Sequence, residues 1–410
     1  MANNGVVVGV IDASGPRVVA HGRSGAGDDR PLDGDTVFQI GSVTKTITTL
    51  LLAEMVVRGA LRLDDHVAEF LPGGVSMPER GRAITLRDLA THRSGLPRMP
   101  TNFDLHGDPD PYEAYSVEQL YEFLSTYALD REPGARAAYS NLGVALLGRA
   151  LARRMETEYE ALVKDLVLEP LGMESTSISL SEDQLRRLAP GHDRYLHTVR
   201  EWEMATLPAS GSLRSTANDM LDLLAAYLGY RNTPLQAAMR LQRDEALAWA
   251  MRADGLLWHS GGKAGYRSGI ALNASTGIGA VVLVNARTDA SPMDIAIHLV
   301  TGEALQPAPP LPEYKERVEL SRATLQTFEG RYRADAGVEL EVARSGSRLL
   351  VRYPSGAILE FVATGPRDFF YHGGNDDITF EVAPDGVTGL MLYGDGKKAG
   401  GAEPFRRVGE

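Results

Sequence analysis

Ser42 and Lys45 stand at i and i+3 in the stretch Phe38-Gln39-Ile40-Gly41-Ser42-Val43-Thr44-Lys45. A serine hydroxyl is a weak nucleophile until a base takes its proton, and a lysine kept neutral by burial can be that base. Behind the pair, apolar residues recur at 47, 50, 51 and 55, and Gly59 follows as a stop signal. This is a helical period. If Ser42 opens that helix, Lys45 lies one turn on and on the same face. The serine then sits at a helix N-terminus, where backbone N–H groups and the macrodipole favour developing negative charge. The run is apolar nearly all round, which predicts a buried central helix and a desolvated Lys45. The same spacing also suits an N-cap serine followed by a solvent-facing lysine, so the pair alone does not establish catalysis.

Acyl transfer through a serine needs more: a second proton carrier, an oxyanion hole and groups that hold the substrate. Tyr139-Ser140-Asn141 lies between the turn Arg131-Glu132-Pro133-Gly134 and an apolar helix from Leu142. It offers a phenol for proton transfer and an amide for a substrate carbonyl, although Tyr139 taken alone also reads as a packed aromatic. His259-Ser260-Gly261-Gly262-Lys263 continues an edge-like strand. Its glycines let the backbone approach a ligand closely, and the Gly262 N–H can pair with that of Ser42 as an oxyanion hole. Alone, His259 reads equally as a strand-end surface histidine.

The composition narrows the alternatives. The chain has 410 residues, 43% hydrophobic and 23% charged, with a net charge of -12 and no cysteine. That length holds two domains and a sizeable core. An acidic chain without a basic block argues against nucleic acid as a partner and against a polybasic membrane patch. The absence of cysteine excludes disulfides, thiolate metal sites and a cysteine nucleophile. No metal and no cofactor are expected. No apolar span reaches transmembrane length. No G-x-G-x-x-G, Walker A or G-x-S-x-G sits at a strand-to-helix junction, which argues against nucleotide binding and an α/β-hydrolase. Met1 to Gly5 lacks a signal peptide and the chain enters a strand almost at once. We therefore expect a leader or first helix to have been removed.

The positioning elements follow in order. Residues 6–11 and 17–21 read as a hairpin, residues 42–245 as mostly helical, and residues 256–259, 268–273 and 279–285 as returning strands before a helix at 293–301. Thr85 and Asp88 form a capping box, and Ser215 or Thr216 caps a later helix. Residues 98–115, rich in Pro and Asp, read as a long loop and a candidate rim of a site. The expected fold is α+β: one antiparallel sheet closed by the chain ends and flanked by helices, with a large helical insertion. Four prolines between Glu303 and Glu316 mark a linker. Beyond it, short strands at 338–342, 349–353, 369–371, 378–382 and 390–393 predict a small antiparallel barrel or sandwich, with packing or a lid as its expected role rather than ligand binding. The expected division is 1–303, linker 304–317, and 318–410.

Ser42-x-x-Lys45, then Tyr139-Ser140-Asn141, then His259-Ser260-Gly261, in this order, resembles the serine β-lactamase and penicillin-binding protein superfamily. The resemblance is greatest to its class C branch, with D-alanyl-D-alanine carboxypeptidases of the AmpH type, D-aminopeptidases and β-lactamase-like esterases. It covers about residues 5–303, and the tail resembles a lipocalin-like C-terminal domain. The resemblance implies Ser42 as nucleophile, Lys45 as its base, Tyr139 as proton relay and Asn141 as substrate-amide ligand. The Ser42 and Gly262 N–H groups would hold the oxyanion. Class C β-lactamases carry Lys-Thr-Gly where this chain has His259-Ser260-Gly261. A histidine replaces the lysine charge only when protonated, so the expected substrate moves toward a D-amino-acid peptide or small ester and away from a β-lactam. Lys263 and Arg267 are further candidates for a substrate carboxylate. A class C-like β-lactamase, a slow-acylating sensor and a peptide cyclase or acyltransferase are the alternatives. Family resemblance also implies a secreted or periplasmic setting.

Overall fold

Burial alternates residue by residue along the valine-rich first strand of the computed structural model. The structure describes residues 5–25, 28–105, 112–200, 203–287, 291–305, 307, 315–371, 376–394 and 401–409. Much of the proline-bearing linker stretch and part of the expected 98–115 rim lie outside them. Strand β1 (Gly5–Asp12) pairs antiparallel with β2 (Gly15–Gly25), which in turn pairs with β3 (Asp28–Pro31). A short β4 (Phe38–Gln39) pairs with β5 (Arg214–Ser215). The main sheet is completed by β6 (Ala250–Met251), β7 (Leu256–Lys263), β8 (Tyr266–Asn273) and β9 (Ile278–Val284), in the order β3-β2-β1-β9-β8-β7-β6. The expected closure by the chain's two ends is the β1–β9 pairing, with Val8 opposite Val282.

Because side chains alternate across a strand, the sheet has two apolar faces. Ala280, Val282 and Val284 pack with Ala296 and Val300 of the helix Pro292–Thr301, while Val281 and Leu283 face the large helical core with Val7 and Ile11. That core is built on α1 (Thr44–Val57), α2 (Leu86–Ala90), α3 (Val117–Thr126) and α4 (Asn141–Arg154). Shorter helices α5 (Tyr159–Val163), α6 (Glu169–Leu171) and α7 (Glu182–Arg187) precede α8 (Ala217–Tyr227) and α9 (Gln236–Asp244). Thr85 and Asp88 make the expected capping box, and Thr216 is the cap of α8. In the buried α1, Thr46 and Thr49 donate their hydroxyls to the carbonyls of Val43 (2.8 Å) and Lys45 (2.9 Å). Burial then leaves neither hydroxyl unsatisfied.

After α10 (Pro292–Thr301) and α11 (Arg322–Thr327), the chain forms a closed eight-stranded antiparallel barrel. Its strands are β10 (Gly330–Ala334), β11 (Glu339–Ser345), β12 (Arg348–Arg352), β13 (Ile358–Ala363), β14 (Asp368–Tyr371), β15 (Asp377–Ala383), β16 (Gly386–Tyr393) and β17 (Ala402–Val408). The α+β expectation therefore holds, and the tail is a barrel rather than a sandwich. Strands β10, β13 and β17 are not among the examples named from the sequence. Phe328, Tyr332, Phe361, Phe369, Phe380 and Phe405 fill the interior. On the outer face, Ala343, Leu350 and Ile358 join the helical core of the preceding region.

Candidate active site

Gly41, Ser42 and Val43 form one 3-10 turn that runs directly into α1. Ser42 thus stands just before the helix rather than in its first turn. Lys45, in that first turn, is fully buried. Its Nζ lies 3.2 Å from Ser42 Oγ, 2.9 Å from Asn141 Oδ1 and 2.5 Å from the Ser210 carbonyl. Burial, aided by the Arg98 charge, pushes the Lys45 ammonium well below its usual range. As an ammonium, Lys45 donates to all three partners; as the neutral amine that burial favours, its two N–H bonds go to Asn141 Oδ1 and the Ser210 carbonyl, which only accept, and its lone pair turns to the Ser42 hydroxyl.

Tyr139 enters from the loop before α4, capped by Ser140. Its hydroxyl is hydrogen-bonded to Ser42, yet burial of the phenol raises its pKa above the ordinary tyrosine value, so it stays protonated at neutral pH. The ring packs against His92 at a tilt of 35°, centroid to centroid 4.5 Å, and stands 4.9 Å from Lys45 Nζ and 5.1 Å from the Arg98 guanidinium carbon. The backbone arrangement explains how this motif is held. Ser140 Oγ donates to the Pro97 carbonyl (2.6 Å), and the Asn141 and Leu142 N–H groups donate to the Arg98 carbonyl (2.9 and 3.2 Å). Asn141 Nδ2 meets Met99 Sδ at 3.5 Å.

His259 is buried in β7 rather than exposed at a strand end. Its Nδ1–H donates to the Ser260 carbonyl at 2.7 Å. Burial, with Lys45 nearby, lowers its pKa to about 4, so the ring is neutral at pH 7. The charge that a protonated His259 would supply is therefore absent there. Gly261 does something other than admit a ligand. A Cβ on it would lie 2.1 Å from the Ile40 carbonyl oxygen and 2.2 Å from Ser268 Oγ. The glycine instead lets β7 press against the segment that carries the serine. Gly41, at φ +51°, completes the contact: a Cβ there would lie 2.7 Å from the Gly262 nitrogen. The Gly262 N–H is thereby brought beside the Gly41–Ser42 peptide.

Ser42, Tyr139, His259, Ser260, Gly261, Gly262, Lys263 and Arg267 all line one cleft of about 570 Å³. Asn141 and Lys45 stand behind the cleft wall, Asn141 Oδ1 meeting Lys45 Nζ, which meets Ser42 Oγ. Among the further lining residues that sequence reasoning did not single out are Arg98, Arg287 and Tyr371, the last on barrel strand β14. Arg98 lay inside the stretch flagged as a rim. Arg287 and Tyr371 carried no local signal, because only the tertiary fold brings them there. Among the described residues, the lining holds four cationic side chains (Arg98, Lys263, Arg267 and Arg287) and no carboxylate, a potential that favours an anionic ligand.

The beta-lactamase family model matches residues 1–303. Over 228 residues the chain is 34% identical to the D-alanyl-D-alanine-carboxypeptidase/endopeptidase AmpH of Escherichia coli strain K12. That match covers 55% of this chain and 57% of the relative, so it spans just over half of the relative's length. A beta-lactamase/D-alanine carboxypeptidase from Yersinia pestis superposes with a TM-score of 0.63 at 26% identity, covering 72% of this chain and 91% of that one. The octameric penicillin-binding protein homologue from Pyrococcus abyssi shares the fold over 99% of this chain and 96% of its own, with a TM-score of 0.63 at 21% identity. The chain therefore belongs to the beta-lactamase family, within the serine β-lactamase and penicillin-binding protein superfamily of serine hydrolases.

Proposed function

We propose that the protein hydrolyses D-amino-acid peptides, of the D-alanyl-D-alanine carboxypeptidase or D-aminopeptidase type, or small esters through an acyl-enzyme on Ser42. The observation that carries this reading is the position of Lys45: its fully buried Nζ lies 3.2 Å from Ser42 Oγ, 2.9 Å from Asn141 Oδ1 and 2.5 Å from the Ser210 carbonyl. In this reading Lys45 accepts the Ser42 proton as the hydroxyl attacks the substrate carbonyl. The Ser42 and Gly262 N–H groups stabilise the oxyanion. Tyr139, a protonated phenol hydrogen-bonded to Ser42, passes a proton to the leaving group and then assists the deacylating water. Asn141 holds Lys45 and the substrate amide. Arg98, Lys263 and Arg267 supply the positive charge for a substrate carboxylate, which a neutral His259 cannot.

The neutral His259 favours peptide or ester over β-lactam, because a fixed cation is missing at that position. Residues 1–303 are the proposed catalytic unit and residues 318–410 an appended barrel joined by residues 304–317. Turnover of a D-Ala-D-Ala peptide, a short-chain p-nitrophenyl ester and a chromogenic cephalosporin is measured side by side. The expected order places the cephalosporin last by kcat/KM. A cephalosporin turned over faster than the peptide and the ester would reject the assignment in favour of a β-lactamase.

A further inference from the structure

Among its contacts with the catalytic region, the barrel touches the segment that seats the Tyr139-Ser140-Asn141 motif. Met99 donates its N–H to the Ser355 carbonyl at 3.3 Å, in the turn between β12 and β13. Gly356, at φ +78°, lies so close to that segment that a Cβ would stand 2.4 Å from the Met99 carbonyl oxygen and 2.9 Å from that of Pro100. At the end of β12, Arg352 Nη1 donates to the carbonyls of Thr101 (2.8 Å) and Phe103 (2.9 Å), while Glu341 on β11 holds its other nitrogen. The clamped segment continues backward into the carbonyls of Pro97 and Arg98, which receive Ser140 and Asn141. On a second path, Tyr371 of β14 enters the cleft wall, with the Arg287 guanidinium carbon 5.8 Å from its ring centre.

We propose that the barrel is a working part of the active site: Arg352 and the Ser355–Gly356 turn position the segment that seats Tyr139 and Asn141, and Tyr371 forms a substrate-contacting wall opposite Ser42. This rests on the hydrolase reading above. Arg352 acts through residues 97–103 and is a positioning residue, so its loss falls on kcat. Tyr371 meets the substrate, so its loss falls on KM. Misplacement of catalytic groups by about 1 Å can cost about 100-fold, and here one anchor of several is removed.

The test uses the full-length protein and a short-chain p-nitrophenyl ester. Arg352→Ala is expected to lower kcat at least about tenfold, and Arg352→Lys, which keeps one cationic donor, to recover part of it. Gly356→Ala perturbs the same segment independently and is expected to act in the same direction. Tyr371→Ala is expected to raise KM about fivefold with kcat nearly unchanged. Arg407→Ala is the control: that side chain bonds the Thr327 and Glu329 carbonyls inside the barrel region, far in sequence from residues 97–103, and its kcat and KM are expected to stay within twofold of wild type. Arg352→Ala and Gly356→Ala with wild-type kcat would overturn the positioning role. So would an Arg407→Ala variant as damaged as Arg352→Ala, because the loss would then be one of barrel stability. Ser42→Ala runs beside them. If it abolishes turnover while the barrel variants do not, the barrel's role alone is rejected; if turnover survives it, the hydrolase reading itself fails.

Discussion

A methyl group at Gly261 tests whether the contact between β7 and the serine-bearing turn governs activity. In Gly261→Ala the new Cβ would stand 2.1 Å from the Ile40 carbonyl oxygen and 2.2 Å from Ser268 Oγ. Those two atoms are already joined, since Ser268 Oγ donates to the Ile40 carbonyl at 2.8 Å. Neither can yield independently: one is backbone and the other is buried on the neighbouring strand. Restoring ordinary van der Waals distance needs about 1 Å of separation between β7 and residues 40–41. Overpacking of this kind costs about 1–3 kcal/mol. The same movement carries Ser42 away from the Gly262 N–H, and a shift of that size lowers the rate about 100-fold. The neighbouring position supplies the contrast. In Gly262→Ala the Cβ would meet Arg267 Nη1 at 2.6 Å, the far end of a flexible side chain, so the backbone stays in place. Thermal unfolding and ester kcat/KM are measured for both. Gly261→Ala is expected to lose stability and activity together, and Gly262→Ala to keep stability near wild type. Gly261→Ala with kcat/KM within threefold of wild type would refute the reasoning.

Three further outcomes are expected. Tyr139→Phe keeps the ring on His92 but removes the hydroxyl at Ser42; steady-state kinetics are expected to show kcat lower by about 10²–10⁴ with little change in melting temperature. Arg98→Gln removes the charge that helps keep Lys45 deprotonated, so the acid limb of the kcat/KM–pH profile is expected to move to higher pH, and an unmoved or lowered limb would contradict that electrostatic coupling. His259 and His92, with pKa values lowered to about 4 and about 3 by burial, bind protons more readily in the unfolded chain. Stability should therefore fall as pH falls from about 6.5 through about 4, His259 contributing at most about 3 kcal/mol. Denaturant titrations between those pH values check this, with His92→Gln expected to flatten the dependence.

Much of the site was legible because its chemistry is local in sequence. The i, i+3 spacing of Ser42 and Lys45 and the apolar run behind them foretold a buried lysine, and Lys45 is fully buried. The sheet closure was legible from strands at both ends of the catalytic region. Two features were misread and two missed for one physical reason, that they depend on tertiary approach. Gly261 read as room for a ligand, but its neighbour is the Ile40 carbonyl. His259 taken alone read as a strand-end surface histidine, but β7 buries it beside Lys45. Tyr371 and Arg287 could not be found from spacing, since one comes from the barrel and the other from the loop after β9.

The central claim, acyl transfer through Ser42 with Lys45 as base, is tested most directly by intact-mass spectrometry of the protein trapped with a β-lactam or a slowly hydrolysed ester, followed by peptide mapping. The expected result is a single covalent adduct on Ser42 that is absent in Ser42→Ala and forms far more slowly in Lys45→Met. An adduct on another residue, or substrate turnover that survives Ser42→Ala, would contradict it.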